Sequence, residues 1–210
     1  MFQLIKGTSI PDISGLKEEY QIDENKLYAN VSAENIPIVF ESFLGKMKEN
    51  EPLFLFIEVP CSEEDELRMN PPQSGQERTI KKYHRDVYYL DGYNREGMLM
   101  FLHSGVGELL INDGLVFFGF GSMDSHIELG KYKYNVLMGY LHGQETNFLT
   151  DIFDELHIPC EKNIVTAWQL LSDENPGTSQ KYVFDGKDIY VLVDQMKELG
   201  LYKAETREED

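Results

Sequence analysis

Apolar and polar positions are most sharply ordered between residues 115 and 141. In 115–121, Val116, Phe118 and Phe120 fall on one face of an extended chain, with Leu115, Phe117, Gly119 and Gly121 on the other. Residues 132–141 repeat this period of two, setting Tyr132, Tyr134, Val136, Met138 and Tyr140 against Lys133, Asn135, Leu137, Gly139 and Leu141. The two segments read as a pair of strands at the centre of a sheet, joined by a polar loop. A third run, 53–59, is almost continuously apolar and suits a strand covered on both faces.

Helical spacing appears elsewhere. Asn35 stands as a cap before Ile36, Val39, Phe40, Phe43, Leu44 and Met47, with Pro37 tolerated in the first turn, so 35–49 is expected to be helical. The same spacing predicts helices over 95–111, over 147–157 behind Asn147, over 164–171 and over 188–199. Gly105 and Gly107 weaken the first of these, 95–111, which suggests close packing there. Further strands are expected at 2–6, 27–31 and 87–90, with a short edge strand at 181–184. Residues 60–82 hold few apolar positions and read as an exposed, mobile loop, and 204–210 read as a disordered acidic tail. Strands and helices do not alternate regularly. The pattern therefore predicts an α+β fold, with a mixed, mainly antiparallel sheet packed against several helices and residues 1–203 forming one domain.

Charge narrows the choice of partner. Asp and Glu number 37 against 19 Lys and Arg, a formal net charge of −18 over 210 residues. Such a field repels phosphate backbones and anionic lipid, which argues against nucleic acid and membrane surfaces as ligands. No stretch reaches the roughly 20 apolar residues needed to cross a bilayer. The N-terminal segment lacks the basic-then-apolar order of a secretory leader, so the cytoplasm is the expected compartment. Cys61 and Cys160 lie outside any metal-ligand spacing and are expected to be free thiols.

Candidate chemistry is sparse. Asp124, His126 and Glu128 alternate, so in an extended segment all three would project to one side, where a divalent metal could be held; a polar loop between strands explains the same residues without a metal. His84 and Asp86 share that alternation and read more simply as a charged strand end. Neither Ser104 nor Ser125 sits in a nucleophile elbow, and the glycines of 117–122 lack the Lys-Ser/Thr of a phosphate loop and point instead to close backbone packing. Acid beside Cys61 disfavours its thiolate. Trp168 reads as a core residue on a helical face, whereas the tyrosines near the sheet suit either strands or an interface.

Two functions remain in view. The first is a non-catalytic binding module of inhibitor or immunity type, needing no cofactor. It would dock on a basic protein through Glu63, Glu64, Asp65 and Glu66 and through Asp151, Asp154 and Glu155. The alternative is a metal-assisted hydrolase using Asp124, His126 and Glu128.

Overall fold

The computed structural model describes residues 1–70, 82–140 and 146–208. It is an α+β structure built on one eight-stranded antiparallel sheet. The strands are β2 (Glu19–Asp23), β3 (Lys26–Asn30), β4 (Leu53–Pro60), β5 (His84–Tyr93), β6 (Phe117–Ser122), β7 (Ile127–Lys131), β8 (Val136–Tyr140) and β10 (Tyr202–Glu208). They run in the order β10-β5-β4-β6-β7-β8-β3-β2. The short β1 (Thr8–Ser9) and β9 (Thr178–Ser179) pair separately. Helices α1 (Ile36–Lys46), α2 (Glu63–Met69), α3 (Arg95–Leu102), α4 (Gly105–Asn112), α5 (Thr146–Glu155) and α6 (Ile189–Lys197), with short 3-10 turns at Lys133–Asn135 and Ala167–Leu170, complete the described elements. Among the described residues no helix is long and apolar enough to cross a membrane.

Side-chain alternation divides the sheet into two faces. Leu55 and Ile57 of β4, Phe118 and Phe120 of β6, Leu129 of β7 and Leu137 of β8 join Phe40 and Phe43 of α1, Met98 of α3, Leu110 of α4, Phe153 of α5 and Leu192 of α6 in one buried core. Phe40 meets Phe118 and Phe120 at ring-centroid distances of 4.9 and 5.6 Å, so α1 is seated directly over β6. The opposite face is aromatic in a different way. Register sets Phe56 against Gly119 and Phe54 against Gly121, while Gly119 in turn faces Gly130. A Cβ on Gly119 would lie 2.5 Å from Phe56 and one on Gly121 2.3 Å from Phe54, so the two rings occupy the space that side chains on β6 would fill.

Several expectations change. The strands 115–121 and 132–141 are not partners, because β7 lies between them in a meander of β6, β7 and β8. Polar residues on β7 are accommodated because Glu128 turns away from the helical core. The alternation over 132–141 is broken at Tyr134 and Asn135, whose φ angles of 53° and 65° make a left-handed corner, so β8 starts at Val136. Asn135 explains that corner. Its buried amide accepts from the N–H of Ile5 and donates to the carbonyls of Gln3 and Val31, which also holds residues 2–6 without strand pairing.

Helix 95–111 is two helices. Ser104 caps α4 by accepting from the N–H of Val106, and a Cβ on Gly107 would meet the Leu102 carbonyl oxygen at 1.9 Å, so the glycine serves the junction of α3 and α4 rather than contact with the sheet. Asn35 does not cap α1 with its side chain, which donates to Glu18 instead. Residues 164–171 form no helix beyond a single turn over Ala167–Leu170, since Asn30 and Gln21 of the sheet hold the carbonyl of Val165 and the N–H of Ile164. At 181–184 the pairing is limited to a bridge between Phe184 and Lys187.

The expected loop at 60–82 contains α2, capped by Ser62 and carrying four acids in a first turn where the helix dipole favours them; 71–81 lie outside the described residues. The tail expected at 204–210 is, through Glu208, the edge strand β10, and 209–210 lie outside the described residues. Polar contacts hold it: Lys203 Nζ lies 2.6 Å from Asp86, Thr206 donates to Asp86 at 2.7 Å, and Arg207 donates to Glu58.

One cation is sealed inside the core. Lys131, 1% exposed, donates to the carbonyls of Leu110, Ile111 and Asp113 at 3.1, 3.3 and 2.8 Å, closing the C-terminus of α4 where positive charge is favoured. Replacing it by Met would leave three acceptors without a donor. Burial lowers the pKa of this amine to about 7, so Lys131→Met is expected to destabilise the protein by about 2 kcal/mol in urea unfolding at pH 7, in the range for leaving buried acceptors without a donor.

Candidate functional site

The face opposite the helices carries a pocket of about 740 Å³. Its floor is Phe56 of β4, flat over the glycines of β6 and β7. Glu58 enters one residue-pair further along β4, opposite Phe117 on one side and Val87 on the other. Strand β5 contributes Arg85 and Tyr89, β7 contributes Glu128, the following corner Tyr132 and Lys133, β8 Met138 and Tyr140, and β10 Arg207 and Glu208. Trp168 stands at the rim, 36% exposed. A second hollow of about 560 Å³ continues toward Phe54 and Tyr202 and shares Tyr89 and Glu128 with the first.

Two carboxylates of unequal environment meet here. Glu58 is 3% exposed; one oxygen accepts from Arg207, whereas Oε2 is buried with no hydrogen-bond partner among the described residues and lies 3.9 Å from Arg85 Nε. Arg85 is engaged elsewhere as well. Its guanidinium lies 3.8 Å from the Phe117 ring centroid and donates to the carbonyls of Glu58 and Leu115. Burial, and secondly the charge of Glu58, push the Glu128 carboxyl up to about 7, with Arg207 opposing. Burial also raises the Tyr132 phenol, with Glu128 and Glu58 adding to it. The site thus offers a carboxyl poised near neutrality, an unsatisfied acceptor and aromatic walls.

No protein-family model matches the chain, and no match to a curated protein or a solved structure was found.

Asp124, His126 and Glu128 are not brought together. Asp124 and His126 occupy the exposed turn between β6 and β7, where His126 has φ of 52°, and Glu128 alone faces the pocket; the extended geometry that would align them is absent. Among the described residues, no group of three or more His, Cys, Asp or Glu side chains is placed to hold a metal. His84 is bound through Nδ1 to Glu66 at 2.9 Å, and His142 lies outside the described residues. Cys61 donates to Asp86, and burial raises its thiol to about 12.

The acidic residues read from sequence split into two groups. Glu63 and Glu64 are exposed on α2, Asp65 pairs with Arg68, and Glu66 is buried against His84 of β5. On α5, Asp151 is exposed, Asp154 accepts from Tyr20 of β2 at 3.1 Å, and Glu155 pairs with Lys46 at 2.7 Å. Five strands separate β5 from β2, so the seven carboxylates are not one patch. Sequence reasoning missed Glu58, Arg85 and Arg207, and it assigned Trp168 to the core. One signal was present: a glutamate inside the apolar run of 53–59 is costly in a covered strand unless a cation or ligand meets it.

The raised carboxyl makes stability depend on pH. With a pKa near 7 in the folded chain against 4.5 unfolded, the native state binds more protons between those values, so Glu128 causes stability to fall as pH rises from about 4.5 to about 7. The linkage limit is about 3 kcal/mol, and solvent at the pocket mouth reduces it to about 1–2 kcal/mol. Glu128→Gln is expected to stabilise the protein by that amount at pH 8 and to change little at pH 5, measured by urea unfolding at both values.

Proposed function

We propose that this chain is a non-catalytic binding module that docks on a basic partner protein through the sheet face opposite the helices. The observation that carries the reading is the pair Glu58 and Glu128: a buried carboxylate oxygen with no hydrogen-bond partner among the described residues and Arg85 Nε no nearer than 3.9 Å, beside a carboxyl that burial keeps from ionising freely, in an aromatic pocket. Both features are relieved by one event, the arrival of a cationic donor. The aromatic walls add favourable faces for such a group. The formal charge of −18 supports the same reading at longer range, since it draws a basic protein toward the surface before contact. The exposed acids of α2 and α5 then serve encounter rather than the contact itself.

A carboxyl near 7 also suits proton transfer, and turnover of a bound substrate is the outcome that would displace this reading. The test is capture of a partner from cell extract at about 50 and about 300 mM salt, followed by binding kinetics with the purified partner. Trp168→Ala and Glu128→Gln are expected to weaken binding about tenfold or more, chiefly through faster dissociation, while Glu63→Gln with Glu64→Gln slows association and loses its effect in high salt. A partner bound equally well by both pocket variants, or turnover of a small molecule without any salt-sensitive protein partner, would overturn the proposal.

A further inference from the structure

We infer that the pocket between Glu58 and Glu128 receives a guanidinium group, the tip of an arginine side chain presented by the partner, in preference to a lysine ammonium. The inference rests on the docking reading and adds the chemistry of the anchor. Its first support is the geometry of the unsatisfied acceptor: Glu58 lines the pocket, is 3% exposed, and keeps Oε2 without a hydrogen-bond partner among the described residues. Glu128 reaches the same pocket from a different strand. Guanidinium carries five donors in a planar fork and can address two separated carboxylates together, whereas an ammonium is a compact, strongly hydrated point charge.

The second support is the walls. Phe56, Tyr89, Tyr132, Tyr140 and Trp168 give flat faces against which a planar cation stacks, and the chain already uses this contact internally, with Arg85 3.8 Å from the Phe117 ring centroid. The third is the use made of the pocket's own cations. Arg207 is paired with Glu58, Arg85 donates to two carbonyls and sets its Nε 3.9 Å from Glu58 Oε2, and Lys133 lies 5.8 Å from the Phe117 ring centroid; Glu208, the remaining acid of the lining, is paired with Lys82. Glu128 is the acid whose compensation is incomplete, because Arg207 lowers its pKa less than burial and Glu58 raise it.

Binding of a cation requires Glu128 to ionise, so affinity should rise with pH through about 7 and level off above it. The charged and titratable groups that line the pocket with Glu128 are Glu58 from β4, Arg85 and Tyr89 from β5, Tyr132 and Lys133 from the corner before β8, Tyr140 of β8, and Arg207 and Glu208 from β10. Both arginines stay charged and both tyrosines with resolved shifts, Tyr89 and Tyr132, are raised. Lys131, lowered to about 7 by burial, titrates in the same interval but is held on the carbonyls at the end of α4, so within the pocket lining Glu128 is the group with a resolved shift into that interval.

The probes are N-acetyl-arginine methylamide and its lysine counterpart, titrated into the full chain and followed by the Trp168 indole signal in NMR. The arginine probe is expected to bind at least fivefold more tightly. Its affinity should drop up to about tenfold per pH unit below about 7, and Glu128→Gln should weaken binding and flatten the profile while Glu41→Gln, an exposed acid of α1, behaves as the parent. Equal affinity for both probes, no pH dependence between 6 and 8, unchanged binding by Glu128→Gln, or no indole shift at about 50 mM probe would each overturn the assignment. If the probes fail while partner capture still depends on Trp168, the arginine assignment falls and the docking reading survives. If capture ignores the pocket variants, the docking reading itself falls.

Discussion

The structure depends on how strand β4 is flanked. Its alternate side chains serve two surfaces: Leu55 and Ile57 enter the core with the helices, while Phe54 and Phe56 lie flat on the other face across Gly119, Gly121 and Gly130. Those glycines lack the Cβ that would lift the rings, so aromatic area is buried against bare backbone. The consequence is a floor with depth. Glu58, next on the same face, is thereby set low among its neighbours, and the surrounding Tyr89, Tyr132 and Tyr140 rise as walls. Without the glycine row, the same strand would present a flat aromatic surface rather than a pocket.

A chain with an excess of acid ties its sheet with basic side chains, two of them, Lys131 and Arg85, buried. Lys131 closes the last turn of α4, Arg85 is buried between Phe117 and two carbonyls, and Arg207 fastens the edge strand to Glu58. Each contacts a group outside its own element, so each ties its strand to another part of the structure. Buried charges require compensation, and here backbone dipoles and aromatic faces provide part of it. Carboxylates such as Glu63, Glu64 and Asp151 stay exposed. The negative field thus belongs to the surface, and the balanced charges belong to the interior.

Local pattern was sufficient for α1, for β4, for α6 and for the core face of β6, because each is encoded by apolar residues repeating at the period of its own geometry. It was sufficient for the α+β class as well, since the order of elements is a local property. It failed where polar residues form regular structure for reasons distant in sequence. Strand β10 has all seven residues exposed and pairs because Asp86 and Glu58 reach its Lys203, Thr206 and Arg207, more than a hundred positions away in the chain. Strand β7 looked like a polar loop because its glutamate faces a pocket instead of a core.

Of the candidate site, the sequence marked Glu128 and the tyrosines, but for a metal in the first case and without a place in the second. Sequence left Glu58 unmarked in an apolar run and put Glu128 near a polar loop; the interposed β6 and the register across it decided that both carboxylates open into one cavity. Periodicity is a relation between neighbours and is readable from one chain, so sequence alone determined the class of fold and the strand and helix faces that form the core. Register and strand order are settled by contacts between segments far apart, and their energies are not written in any single segment. The pocket, its unsatisfied oxygen and its near-neutral carboxyl were therefore decided by the tertiary structure.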